Sequence, residues 1–266
     1  MPEHRVLITG AAGAVGKLLR PRLIRDDRIL RLLDVQPIAA AVPGERVEIV
    51  PGSVTDPASM TAACRDVDAI IHLGGLSRED DWERLLAINI DGTRTILEAA
   101  RTAGVPRVVL ASSNHAAGFR HIGEAGPGGL PADSNPRPDT YYGVSKAAME
   151  ALGSLYHSRF GMDVTCLRIG SCFERPADVR QLSLWLSPDD CARLIECCLA
   201  TTEPAYRVLW GVSANTRAVV SPGAAEAIGY KSLDDAERFA ADLPGTLPDL
   251  LGGEFCTTPL GRPGPM

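Results

Sequence analysis

The stretch Gly10-Ala-Ala-Gly13-Ala-Val-Gly16 constrains this chain more than any other part of it. It follows a short apolar, β-branched run, Arg5-Val-Leu-Ile-Thr9, that stops at glycine and reads as a buried strand. After it, Leu18, Leu19, Leu23 and Ile24 fall at helical spacing. A strand, a glycine-rich turn and a helix in that order bring backbone N–H groups and the positive end of a helix dipole against a phosphate. Gly10 permits the tight turn, Gly13 lets a pyrophosphate approach, and Gly16 lets helix pack on strand. Ala14 and Val15 belong to the same phosphate cradle.

The next strand, Ile29-Leu-Arg-Leu-Leu33, ends in Asp34. An acidic side chain about twenty residues beyond the glycines can accept hydrogen bonds from adenosine ribose hydroxyls, and it repels a 2′-phosphate. The expected cofactor is therefore NAD rather than NADP. Arg46–Val50 reads as a third strand, left through Ser53 and Val54, and Asp68–Leu73 as a fourth, running into Gly74 and Gly75. In doubly wound sheets ligands lie at such carboxyl ends, which puts Ser53, Val54, Leu73, Gly74 and Gly75 beside a bound dinucleotide. Trp82–Arg101 reads as one long helix with an apolar stripe, interrupted by Asn89 and Gly92. Arg107–Ser112 is a fifth strand with Ser113, Asn114 and His115 at its end, and Asp163–Ile169 a sixth that leads into Ser171. The Gly- and Pro-rich segment Gly118–Asp139 reads as a loop over the cleft. Pro188–Ala200 reads as a helix capped by Ser187, Tyr206–Trp210 as a strand, Ser232–Ala241 as a helix, and the end from Pro259 as a loose tail.

Strands alternating with helices give an α/β chain with a Rossmann-type, doubly wound, mostly parallel sheet. Residues 1–170 are expected to form the dinucleotide-binding core. Residues 171–266 should supply a small substrate-binding cap interleaved with the last strands, the whole being one structural unit.

Within that frame Tyr142 and Lys146 share one face of the helix Tyr141–Phe160, a turn apart. An ammonium beside a phenol favours phenolate and lowers a pKa that starts near ~10. A tyrosine tuned in this way can accept the proton of an alcohol while hydride leaves the same carbon. Tyr-x-x-x-Lys alone is a common pairing, and the surrounding strand ends give it meaning. The Ser113 hydroxyl is placed to hold a substrate oxygen against Tyr142.

Composition closes off other classes. A net charge of −6 and a pI near 5.4 argue against nucleic acid and against an anionic membrane surface. No apolar run approaches the ~18 residues of a membrane span, and the segment before Arg5 leaves no room for a signal peptide. Seven cysteines, an odd number without Cys-x-x-Cys spacing, point to reduced thiols in a cytoplasmic protein and to no metal site.

The glycine motif, Ser113 and Tyr142-x-x-x-Lys146 together resemble the extended short-chain dehydrogenase/reductase family along nearly the whole chain. That resemblance implies Ser113, Tyr142 and Lys146 as a catalytic triad, with Lys146 also binding nicotinamide ribose. It implies that Asn89 is the helix asparagine that supports a water near the lysine. One departure is Ser53, where the family often carries an acidic residue that contacts adenine. The segments Ser112–His115, Tyr142–Lys146, Arg168–Cys172, Arg180–Trp185 with Ser187–Asp190, and Trp210–Asn215 resemble the uronate dehydrogenases within that family. These oxidise C1 of a cyclic hexuronic acid such as glucuronate or galacturonate to an aldarolactone with NAD. The residues agree with such a small-molecule substrate. Arg180 offers a planar fork for one carboxylate, and Ser77, Ser113, Asn114, His115 and Ser171 offer hydrogen bonds to sugar hydroxyls. Two other readings share the motifs: a nucleotide-sugar epimerase or dehydratase, and a non-catalytic NAD-sensing protein. The resemblance further implies a homo-oligomer, a dimer or larger, through the helices Trp82–Arg101 and Tyr141–Phe160.

Overall fold

The structure is a computed structural model that describes residues 4–263. β1 (His4–Thr9) turns through the glycines into α1 (Ala14–Leu23) and is followed by β2 (Arg28–Asp34), β3 (Val47–Pro51), α2 (Pro57–Ala63) and β4 (Ala69–His72). α3 (Trp82–Leu85) continues through a π-helical turn, Leu86–Asp91, into α4 (Gly92–Ala103). Then come β5 (Arg107–Ser113), α5 (Tyr141–Phe160), β6 (Asp163–Ile169), β7 (Ser171–Cys172), α6 (Gln181–Leu184), β8 (Trp185–Leu186), α7 (Pro188–Ala200), β9 (Tyr206–Gly211) and α8 (Gly223–Glu226).

Seven of these strands form one sheet in the order β3-β2-β1-β4-β5-β6-β9, and each neighbouring pair is parallel. Parallel sheets are covered on both faces, so their strands are apolar almost throughout. β1 shows how the period-two alternation feeds two cores. Val6 and Ile8 point to one face, packing with Leu19 and Leu23 of α1 and with Leu194 and Ile195 of α7. Leu7 points to the other, where Ile96 and Leu97 of α4 join Met149 and Tyr156 of α5. Each such side chain contributes about 1.5–3 kcal/mol by leaving water.

The strand order reverses between β1 and β4, the place where open α/β sheets leave a crevice beyond the carboxyl ends. Gly10 makes the exit from β1 possible. Its φ is +72°, and a Cβ there would lie 2.6 Å from the Gly74 nitrogen. A Cβ on Gly16 would strike the carbonyl oxygens of Gly10 and Ala11 at 2.7 Å, so this glycine lets α1 close onto the turn itself rather than onto the strand.

Several expectations need correction. The helix expected at Trp82–Arg101 runs on to Ala103, and its expected interruption at Asn89 takes the form of a π turn, Leu86–Asp91, rather than a break. The helix expected at Ser232–Ala241 shrinks to a 3-10 segment, Ala236–Asp242. The N–H groups of Leu233 and Asp234 are taken by the buried Asp190 carboxylate, and Asp235 caps the shorter segment through Glu237. The tail from Pro259 is fastened rather than loose, because the Gly261 N–H donates to Glu79 at 2.8 Å. Residues 264–266 lie outside the described residues, as do Met1, Pro2 and Glu3 of the N-terminal reading. All seven cysteines are free thiols. Among the described residues no helix is long and apolar enough to cross a membrane, and no group of three His, Cys, Asp or Glu side chains is arranged to hold a metal.

Candidate active site

Two adjoining cavities open at the switch point. One, of about 280 Å³, is lined by Gly13, Ser77, Ser113, Tyr142, Lys146 and Ser171 among others. The second, of about 470 Å³, is lined by Asp34, Ser53, Val54, Gly74 and Ile88 among others. Gly10, Gly13, Leu73 and Gly75 border both. Ala14, Val15 and Gly16 complete the wall of the first.

The join between the cavities suits an anion. No side chain caps α1, so its first N–H groups are left for another acceptor. A Cβ on Gly13 would meet only the Gly10 oxygen, at 3.1 Å, so on its open side the backbone can be approached closely. Asp34 accepts from the N–H of Ala12 with one oxygen and from that of Gln36 with the other, both at 2.9 Å. Asp34 lines the second cavity, and each oxygen keeps a second lone pair for another donor. Ser53 turns its hydroxyl to Thr55 at 2.8 Å. Two joined cavities, an uncapped helix and a carboxylate at the second strand end fit a dinucleotide.

α5 delivers the reactive pair. Thr140 caps it by accepting from the Gly143 N–H, and the Glu79 carboxylate accepts from the N–H of Tyr142. Tyr142 is buried, with Lys146 Nζ 5.5 Å from its ring centroid. The expectation that Lys146 holds the phenol below its ordinary range is not met. Burial pushes Tyr142 up to about 12, the Ser113 hydroxyl opposes that shift, and the Asp139 charge adds to it. Lys146 is itself pushed down to about 8 by burial and donates to the Ala111 carbonyl at 2.7 Å. Desolvation disfavours the charged form of each group, phenolate and ammonium alike.

Asn89 lies in the π turn, with direct partners on two other elements. It is fully buried, accepts from the Leu76 N–H at 2.7 Å, and donates to the Leu76 carbonyl and to Ser145 Oγ at 3.0 and 2.9 Å. Its direct partners are the loop that carries Ser77 and the helix that carries Tyr142.

Ser77 and Ser171 reach the first cavity; Asn114, His115 and Arg180 stand behind it. With its amide oriented to satisfy both neighbours, Asn114 donates to the Ile169 carbonyl and accepts from Arg180 Nη1, each at 3.3 Å. Arg180 also donates to the Leu251 carbonyl at 3.3 Å. Burial lowers the pKa of this guanidinium, and the charges of Asp178 and Asp139 counter the shift. Among the described residues, no carboxylate forms an ion pair with it. His115 Nδ1 lies 2.6 Å from Asp139 Oδ2, and its ring stacks on Phe255 at 4.0 Å and meets Tyr142 edge-on at 5.8 Å.

Three residues that the sequence did not single out therefore belong to this neighbourhood: Glu79, Asp139 and Phe255. Asp139 and Thr140 form a polar pair just ahead of the Tyr142 helix, a signal that was available. Glu79 and Phe255 meet their partners across long stretches of chain and carry no local pattern.

Residues 6–175 match the family model described as the NAD dependent epimerase/dehydratase family. The chain is 40% identical to a uronate dehydrogenase of Pseudomonas putida over 90% of this chain and 88% of that one. It is 36% identical to an NAD-dependent glucose-6-phosphate dehydrogenase of Haloferax volcanii, over 89% of this chain and 96% of that one. Among solved structures, a tyrosine-to-alanine variant of uronate dehydrogenase from Agrobacterium tumefaciens, complexed with NAD, superposes with a TM-score of 0.88. That match has 37% identity and covers 97% of this chain and 98% of that one.

Proposed function

The chain belongs to the NAD dependent epimerase/dehydratase family, and on that footing we propose that it is an NAD-dependent oxidoreductase that oxidises the C1 hydroxyl of cyclic hexuronic acids to the aldarolactone. The observation that carries the reading is the joining of two features at one cleft. A Tyr142–Ser113–Lys146 cluster sits beside a glycine cradle, and behind it stands a half-buried arginine that, among the described residues, forms no ion pair. A half-buried guanidinium that no carboxylate touches favours an anionic substrate, whose carboxylate it can grip with two N–H groups. The named relatives act on anionic sugars, which supports the same choice.

Each residue has a role in this reading. Tyr142 accepts the proton of the anomeric hydroxyl, and Ser113 holds that oxygen in place. Lys146, anchored on Ala111, supplies positive charge beside the phenol. Arg180 binds the substrate carboxylate, while Ser77, Asn114, His115 and Ser171 hydrogen-bond sugar hydroxyls. Gly10, Gly13, Ala14, Val15 and Gly16 would hold the pyrophosphate, and Asp34 the adenosine ribose. Ser53, Val54, Leu73, Gly74 and Gly75 would line the rest of the cofactor's path. NAD, when bound, brings the hydride acceptor and a cationic ring. Asn89 positions the Ser77 loop against α5. The protein is read as cytoplasmic and as a homo-oligomer.

The test is direct. Purified protein with NAD is given glucuronate, galacturonate, glucose 6-phosphate and UDP-glucose in turn, and NADH absorbance is followed. The reading expects turnover of the uronates above the others. Turnover of UDP-glucose alone would replace it with nucleotide-sugar chemistry, and no turnover of any would favour a binding protein.

A further inference from the structure

Glu79 is 2% exposed, lies in the loop ahead of α3, and uses its two carboxylate oxygens on backbone far apart in sequence. One oxygen accepts the N–H of Tyr142 and the other the N–H of Gly261, each at 2.8 Å. Tyr142 is the second residue of α5, where an N–H has no partner within the helix and a negative charge meets the positive end of the dipole. Gly261 has φ +71°, a backbone state that glycine adopts without strain. The two groups that Glu79 joins are thus the backbone of the proposed base and a turn near the C-terminal end.

The chain leading to Gly261 runs as a strap along the site. The Asp249 carbonyl accepts from Ile122, the Leu251 N–H donates to the Arg120 carbonyl, and the Gly252 N–H donates to the Gly118 carbonyl, all at 2.9 Å. The Leu251 carbonyl accepts from Arg180, Phe255 lies on the ring of His115, and Cys256 Sγ donates to the Gly118 carbonyl at 3.4 Å. The strap therefore covers the two side chains assigned to the substrate carboxylate and hydroxyls before it ends on Glu79.

We propose that Glu79 is a positioning residue that latches this strap to the catalytic helix, so that one carboxylate fixes both the wall of the substrate site and the backbone of Tyr142. The proposal rests on the reading of Tyr142 as base and Arg180 as carboxylate receiver. Glu79→Gln preserves shape but turns one acceptor oxygen into a donor amide, leaving one of the two N–H groups without an acceptor.

Three measurements decide it. For Glu79→Gln the KM for glucuronate should rise about tenfold, with kcat reduced less than threefold and the Kd for NAD unchanged. Amide hydrogen exchange should quicken at Leu251–Gly253 and at Gly261 while the thermal midpoint stays near wild type. A chain ending at Thr258 should show the same KM, and adding Glu79→Gln to it should raise KM no further, because the latch is already gone. Wild-type KM and exchange in Glu79→Gln, or KM effects that multiply in the combined variant, would overturn the latch. If the wild-type protein turns over no uronate, the functional reading fails by itself, and the exchange measurement still decides whether Glu79 holds the strap.

Discussion

At the scale of single residues, the site is defined by two groups whose environments work against their charges. Tyr142 is pushed up to about 12 by burial and Lys146 down to about 8, so near neutrality the phenol keeps its proton and the ammonium is only loosely favoured. In the proposed reaction, proton acceptance by Tyr142 thus depends on charge brought into the cleft, and removing the phenol oxygen would remove the acceptor altogether. Tyr142→Phe should leave the Kd for NAD within twofold and lower kcat for uronates by about 10²–10⁴. Stopped-flow or steady-state NADH absorbance with a parallel binding titration checks both halves; a kcat near wild type would remove the role. Arg180 makes a different claim, about recognition. Arg180→Lys keeps a positive charge but loses the planar fork. It should raise the KM for glucuronate far more than that for glucose, and an equal rise for both would detach Arg180 from the carboxylate.

Elements hold these residues in place through buried polar ties. His72, at the end of β4, has Nδ1 2.7 Å from Thr9 Oγ1 of β1 and Nε2 3.4 Å from Thr93 Oγ1 of α4. Burial, with a smaller push from the Lys146 charge, lowers its pKa to about 3. Unfolded, the imidazole titrates near ~6.5. Between those values the unfolded chain binds a proton that the folded one refuses, so stability falls as pH falls through the window, by at most about 1.4 kcal/mol per pH unit from this group. Urea denaturation at pH 7, 6, 5 and 4 should show a shallower acid decline in His72→Asn than in wild type, whereas parallel curves would deny His72 the part. Such ties also mark where the sequence could be read and where it could not. The strands were legible because β-branched runs such as Ala69-Ile-Ile-His72 need no partner to be recognised. Asp56 and Pro57 announced α2 with a cap and an N1 proline, yet seven residues give too little periodicity to be noticed. Asn89 and Gly92 marked an interruption in the long helix, but not that it is a π turn. It rotates Asn89 inward by adding chain within the turn, and the apolar stripe either side reads the same with or without it. Glu79 was illegible for a related reason, since its two partners lie 63 and 182 positions away.

At the scale of the molecule, the functional division near residue 170 does not follow the sheet. β9 pairs with β6 along six residues, from Val164 with Tyr206 to Ile169 with Gly211. α7 covers the same face as α1, with Leu194, Ile195 and Cys198 closing the cluster that contains Leu19, Leu23, Val6 and Ile8. Ion pairs of Arg22 with Asp189 at 2.6 Å and of Arg28 with Glu196 at 2.8 Å join the two helices' neighbourhoods, although pairs so near the surface add little. What a chain cut after Gly170 would lose is apolar cover. Leu19, Leu23 and Ile8 are fully buried in the whole protein and would face water on the side that α7 shields. At about 1.5–3 kcal/mol for each large side chain uncovered, a handful of them is comparable to the about 5–15 kcal/mol by which a domain of ordinary stability stays folded. The full chain should therefore unfold in one transition, with far-ultraviolet circular dichroism and tryptophan fluorescence coinciding in urea. The fragment 1–170 should show no cooperative transition and no NAD binding, even though it carries the glycine cradle, Asp34, Ser113, Tyr142 and Lys146. A fragment that melted cooperatively and bound NAD would show instead that the dinucleotide half is a domain in its own right, with the later strands merely added to its edge.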